Sequence, residues 1–167
     1  KVSSINKGTL YHLLLELLPV KRYTIKSLEE EIDEIIKNGK ILESDKKIIR
    51  LEDIFSYLTS DIYENLLYSD KYYKEMPINF YIPSSYYDNS LKSGNILSSG
   101  VIDLLFITND TYNIVDYKTD KVSSMDELKD LYKIQLDLYE IALREKMNAK
   151  NVKKFIYSIY LGKFIEV

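Results

Sequence analysis

Residues 100–120, GVIDLLFITNDTYNIVDYKTD, read as two apolar strands that turn back on each other about Asn109-Asp110. Each strand carries one aspartate among aliphatic neighbours, Asp103 between Ile102 and Leu104, and Asp116 after Val115. Residues two apart on a strand share a face, so Asp116 and Lys118 point one way and Tyr117 the other. A regular hairpin brings Asp103 up to Asp116 from the neighbouring strand, and two carboxylates and a lysine then converge at one end of a sheet. Carboxylates held this close repel and are costly to desolvate unless a proton or cation stands between them, and a hard divalent ion with oxygen ligands is the usual answer. Mg²⁺ is the ion expected, with Mn²⁺ a substitute. Zn²⁺ fits less well, because the chain has no cysteine and a single histidine, His12.

Each piece also has a plainer reading. A strand-end Asp-x-Lys is commonly a surface ion pair of small energetic weight. Asp103, flanked by Val101, Ile102, Leu104 and Leu105, is harder to leave without a partner. His12 lies in the apolar stretch Thr9 to Leu18, where it reads as a hydrogen-bonded core residue or as a ligand through neutral imidazole. Gln135 and Tyr139 stand at i and i+4 on a late helix, a spacing that serves ordinary packing as well as a site.

Working outward, Thr9 to Leu18 predicts a buried helix that stops before Pro19. Ser27 with Glu30 has capping-box spacing ahead of a second helix, which Asn38-Gly39 ends. Helical spacing continues from Ser44 to about Tyr68 with a break near Ser60, so residues 1–70 are expected to be mainly helical. The period then changes: EMPINFYIP (75–83) is extended, SSYYDNSLKSGN (84–95) loop-like, and 96–119 is the hairpin. Residues 125–147 return to helical spacing, and 153–167 alternate again around a turn at Gly162-Lys163. The expected order is helices, three strands, one helix, two strands, in one domain spanning 1–167 with its catalytic core at 71–167.

Composition narrows the function. The 167 residues are 46% hydrophobic, enough for a proper core. Lys and Arg number 23 against 26 acidic residues, a net charge of -3, so no global basic footprint marks the chain as a nucleic-acid binder. A polyanionic partner must be met locally or through cations. The absence of cysteine excludes disulfides, thiolate zinc sites, cysteine nucleophiles and a cysteine-ligated iron-sulfur cluster, and is compatible with a cytoplasmic location. No apolar run reaches membrane-spanning length, and the start KVSSINKGTL lacks a signal block.

Taken in order, GTLYH, KEMP, GVIDLL, IVDYKTD and QLDLY resemble the motifs of the RecB-like branch of the PD-(D/E)xK nuclease superfamily, and the resemblance runs from the first helix to the last strands. Within that branch the chain is most similar to nuclease domains of AddAB-type helicase-nucleases. The resemblance implies a mixed α/β (α+β) restriction-endonuclease-like core, a central mixed sheet flanked by helices after an N-terminal helical segment. It implies a metal-dependent DNA exonuclease whose ligands are His12, Asp103, Asp116 and the backbone carbonyl of Tyr117, with Lys118 as catalytic lysine. Gln135 and Tyr139 match a late-helix motif that supports the site or the substrate strand. Glu75 matches an acidic residue ahead of the first strand in the family, although beside Lys74 it also reads as a surface ion pair. Implied partners are a DNA single strand threaded from a duplex end and an AddB-like partner chain, with end processing and recombinational repair as the setting. A start without methionine then leads us to expect a fragment of a larger helicase-nuclease. Two other readings remain at this stage: a nuclease fold kept only to bind a strand or a partner, and a stand-alone RecB-like exonuclease.

Overall fold

A computed structural model describes residues 6–86, 90 and 93–167. Residues 1–5, and residues 87–89, 91 and 92 of the loop expected over 84–95, lie outside the described residues. Helix α1 (Lys7–Leu17) starts where the Asn6 side chain accepts the Thr9 N–H, and it stops at Leu18, just before Pro19. Helix α2 (Ile25–Lys37) begins three residues earlier than its sequence suggested. Thr24 is the N-cap and Ser27 closes the capping box from the third helical position, so Ser27 is the responding residue and Glu30 takes no part. A short 3-10 turn over Glu43–Ile48 leads into α3 (Leu51–Leu58) and α4 (Asp61–Leu67). The break falls at Ser60, as expected, because its hydroxyl caps α4.

Strand β1 (Lys71–Pro83) starts four residues before the extended segment read from sequence, and β2 (Asn95–Thr108) returns antiparallel to it. Strand β3 (Thr111–Lys118) follows a two-residue turn in which Asn109 and Asp110 both take positive φ, 49° and 57°, the backbone that a tight twisted hairpin requires. Helix α5 (Met125–Met147) crosses over to β4 (Asn151–Ser158), which runs parallel to β3, and β5 (Lys163–Glu166) closes the sheet antiparallel to β4. The strand order is β1-β2-β3-β4-β5, a mixed sheet flanked by helices.

The two sheet faces carry separate cores. On one, α1 to α4 pack Leu10, Leu14, Ile54 and Tyr57 against Leu104, Phe106, Val115, Tyr117 and Tyr157. On the other, α5 packs Leu128, Leu136 and Leu143 against Leu105, Ile114 and Ile156. Alternation along β3, β4 and the later half of β2, from Leu104 onward, divides the side chains between them. Strand β3 pairs with β2 only up to Leu104 opposite Val115, so the earlier half of β2 forms a two-stranded ribbon with β1 alone. On that ribbon the phase shifts. Ile78, Phe80, Ile82 and Ile102 face α5, whereas Lys74 and Leu104 face the α1 side, although all are even-numbered positions. The change falls at Glu75 and Asp103, where the sheet forks.

Lys74 fixes α1 to this fork. Its ammonium reaches the C-terminal carbonyls of α1, at 2.7 Å from Leu15 O and also to Glu16 and Leu18, which is where a helix dipole welcomes a cation. The surface ion pair with Glu75 that sequence allowed is therefore not formed. Among the described residues no helix is long and apolar enough to cross a membrane.

Buried tyrosines join the helical layer to the fork. Tyr57 and Tyr117 hold their hydroxyls 2.7 Å apart with both rings buried. Tyr57→Phe leaves the Tyr117 hydroxyl unpaired and should cost about 1–3 kcal/mol, while the double change with Tyr117→Phe should cost less than the two single changes summed. Denaturant unfolding of the four proteins checks this.

Candidate active site

The register places three acidic residues in one transverse row. Glu75 falls between the pairs Lys74–Leu104 and Met76–Ile102, so it stands across from Asp103. Asp103 in turn stands one step beyond the Leu104–Val115 pair, across from Asp116. Glu75 adopts φ 48°, a left-handed backbone that costs a non-glycine residue on the order of 1–3 kcal/mol and is held by the ladder on either side of it.

Where the β2–β3 ladder stops, side chains continue it. Asp103 Oδ2 accepts the Tyr117 N–H at 2.7 Å, taking a donor that a longer ladder would have used. From α1, His12 Nδ1 lies 3.3 Å from Asp103 Oδ1, and His12 Nε2 lies 3.0 Å from the Tyr117 carbonyl oxygen. Both ring nitrogens thus face acceptors. Gly8 lets α1 come this near, since a Cβ there would sit 3.0 Å from Thr119 Oγ1 just past Lys118. His12, Glu75 and Asp103 each offer one ligand atom within 4.8 Å of the others. Asp116 and Lys118 share a face, as expected, with Lys118 Nζ 2.7 Å from Asp116 Oδ2. That contact is a buried, charge-assisted pair, and among the described residues Asp116 is not one of the three whose ligand atoms lie within 4.8 Å of one another.

The proton affinities follow the crowding. Burial, reinforced by the charge of Asp103, pushes the Asp116 carboxyl up to about 6, and the same two causes raise Glu75 to about 6. The hydrogen bond to Asp103 raises His12 above its ordinary value against the opposing effect of burial. Burial would lower the Lys118 ammonium, but Asp116 outweighs it and the net direction is upward. These residues, four oxygen or nitrogen donors and a lysine, suit a hard divalent cation better than a soft one.

Gln135 and Tyr139 come together on α5, where Gln135 Nε2 donates to Tyr139 Oη at 2.8 Å. They line a groove of about 460 Å³ with Phe80, Ile82, Ser98 and Leu131, on the α5 side of the ribbon. The Tyr139 ring lies on Gly100, where an added Cβ would fall 2.6 Å from Cε1, so that glycine is required by close approach. Sequence reasoning missed Tyr132, whose ring centroid is 4.0 Å from Lys118 Nζ. The signal was available in its spacing, three residues before Gln135 on the same helix.

A mixed sheet forked around a row of carboxylates and a lysine is the arrangement of a nuclease core, and the family comparison agrees: residues 1–164 match the model of the PD-(D/E)XK nuclease superfamily, to which this chain belongs. Among curated proteins it is similar to ATP-dependent helicase/nuclease subunits from several bacteria. The one from Staphylococcus haemolyticus is 35% identical over 93% of this chain, and the one from Ligilactobacillus salivarius is 36% identical over 99%. That of Clostridium botulinum strain Hall is 30% identical over the whole chain. The chain spans 14% of the length of each of these relatives.

The crowding has a measurable consequence. A Glu75 carboxyl raised to about 6 costs the cation-free fold nothing below the ordinary carboxylate range, an increasing amount as pH rises toward 6, and its full amount above that. Glu75→Gln in EDTA should therefore raise the thermal midpoint by about 2 °C at pH 7.5 and leave it unchanged at pH 4, as read by calorimetry.

Proposed function

We propose that this chain is a metal-dependent deoxyribonuclease domain that hydrolyses phosphodiester bonds, acting as an exonuclease on a single strand delivered from a duplex end. The observation that supports it best is the row Glu75, Asp103, Asp116 with Lys118 Nζ 2.7 Å from Asp116. Acidic residues set in a row repel a phosphodiester as well as each other, so a site that only gripped DNA would gain nothing from them. A divalent cation, Mg²⁺ on our reading, would be held by His12, Asp103, Asp116 and the Tyr117 carbonyl with Glu75 alongside, and would offset phosphate charge and make water a better nucleophile.

The chain's own groups have distinct tasks. Asp103 is oriented by the Tyr117 N–H at Oδ2, which leaves Oδ1 turned toward His12 before anything binds. His12 is aimed by the same two residues, Asp103 and Tyr117. Lys118 donates from its ammonium to the attacking water or to a phosphoryl oxygen, and Asp116 keeps it charged for that purpose. Gln135 and Tyr139 support the strand along the groove beside β1 and β2.

In its full-length protein the domain would serve an AddAB-type helicase-nuclease, with an AddB-like partner chain, in the processing of broken DNA ends for recombinational repair. The relatives' name joins helicase and nuclease in one polypeptide, and a motor that feeds the strand removes the need for a strongly basic domain. A net charge of -3 is then tolerable, because attraction is local to the cation.

The test uses full-length protein, end-labelled single-stranded and duplex DNA, and Mg²⁺ or Mn²⁺. Cleavage should vanish with EDTA and with Asp116→Ala, whereas Lys118→Ala should lower kcat by about 10²–10³ with cation affinity little changed. A wild type that neither binds the cation nor cleaves DNA would instead favour a binding module.

A further inference from the structure

We propose that Tyr132 is a positioning residue for Lys118, holding the lysine ammonium against the face of its ring so that one N–H points into the site. This inference rests on the nuclease reading above. Lysine has a four-carbon stem and three rotatable donors, so a single ion pair does not fix where its protons point. Here two contacts constrain it. Asp116 Oδ2 lies 2.7 Å from Nζ, and the Tyr132 ring centroid lies 4.0 Å from the same atom, within the range of a cation–π contact. The Lys118 side chain is only 15% exposed, so water competes weakly with either partner.

The chemistry of the second partner matters. A carboxylate in Tyr132's place would add a fourth negative charge beside Glu75, Asp103 and Asp116 and would hold the ammonium as a second salt bridge. A ring face attracts a cation through its quadrupole, carries no net charge, and accepts no conventional hydrogen bond that must be broken when the lysine donates elsewhere. With one donor directed at Asp116 and one at the ring, the third is left for a substrate or water oxygen.

Tyr132 is itself held. Its hydroxyl donates to Asp120 Oδ1 at 3.1 Å, linking α5 to the segment that follows β3, two residues past Lys118. Tyr132, Gln135 and Tyr139 fall at i, i+3 and i+7, one stripe of α5, so a single helix presents the ring to the lysine and the amide and phenol to the groove.

The experiment compares full-length wild type with Tyr132→Leu, Tyr132→Met and Tyr132→Phe in steady-state cleavage with Mg²⁺. In parallel, the rate at which an amine-acylating reagent labels Lys118, relative to exposed lysines, is measured by peptide mass in EDTA without DNA. The aliphatic variants keep bulk and lose the ring face. They should lower kcat about tenfold with KM within about twofold, and Phe should restore most of the rate. Labelling of Lys118 should rise in the aliphatic variants and return toward wild type in Phe. Wild-type kcat in an aliphatic variant, a Phe variant as slow as the aliphatic ones, or unchanged labelling overturns the proposal. Two aliphatic side chains guard against one that fails to fold. If wild type cleaves no DNA the nuclease reading falls, and the labelling ratio alone then decides whether Tyr132 holds Lys118.

Discussion

Like charges held in one row of a sheet are the constraint around which this structure is arranged. Glu75, Asp103 and Asp116 occupy successive strands at matching positions, and their mutual repulsion together with burial lifts two of the three well above the ordinary carboxylate range. Nothing in a fold's own interest favours such a row. Its cost is carried by the two cores on either side of the sheet, and softened by the Tyr117 N–H, His12 and Lys118, each of which meets one carboxylate. The sheet forks at this row. Strand β3 leaves β2 there, Glu75 takes a left-handed backbone there, and side-chain alternation changes phase there.

His12 connects the charge of this row to the proton. Both its nitrogens face acceptors, an arrangement that imidazolium satisfies with two donors, and its proton affinity is raised accordingly. A cation ligand must instead present a bare nitrogen. On the metal-dependent function proposed above, proton and cation would compete for one ring, and Asp103, which favours both, would set the terms of that competition.

What the sequence disclosed is what depends on local period and turn chemistry. The hairpin, its Asn-Asp turn, the late helix and the break at Ser60 follow from neighbours a few residues apart. Asp103 was legible because a carboxylate in an aliphatic strand contradicts its surroundings. Glu75 was ambiguous for the opposite reason: with Lys74 beside it, the sequence supplied a ready partner, and only the packing of α1 against β1 shows that Lys74 is engaged with helix carbonyls. The N-cap moved from Ser27 to Thr24 because both residues belong to one reciprocal pair, and sequence does not say which of two hydroxyls leads. The fork and the phase change at Glu75 depend on contacts between distant segments and left no mark in the local pattern.

The crossover from β3 to β4 has consequences for how the chain can vary in length. Two parallel neighbours need a connection of this size, and here the connection is α5, which also bears Tyr132, Gln135 and Tyr139. One residue inserted in a helix turns everything beyond it by about 100°. An insertion between Tyr132 and Tyr139 would thus swing the tyrosine off Gly100 or the ring off Lys118, and would also twist Leu136, Ala142 and Leu143 out of the core. Insertions at the Asn109-Asp110 turn, at the other end of the hairpin, meet no such penalty. The two connections flanking the same strand should therefore drift at very different rates in length, one free to grow and one fixed to the residue.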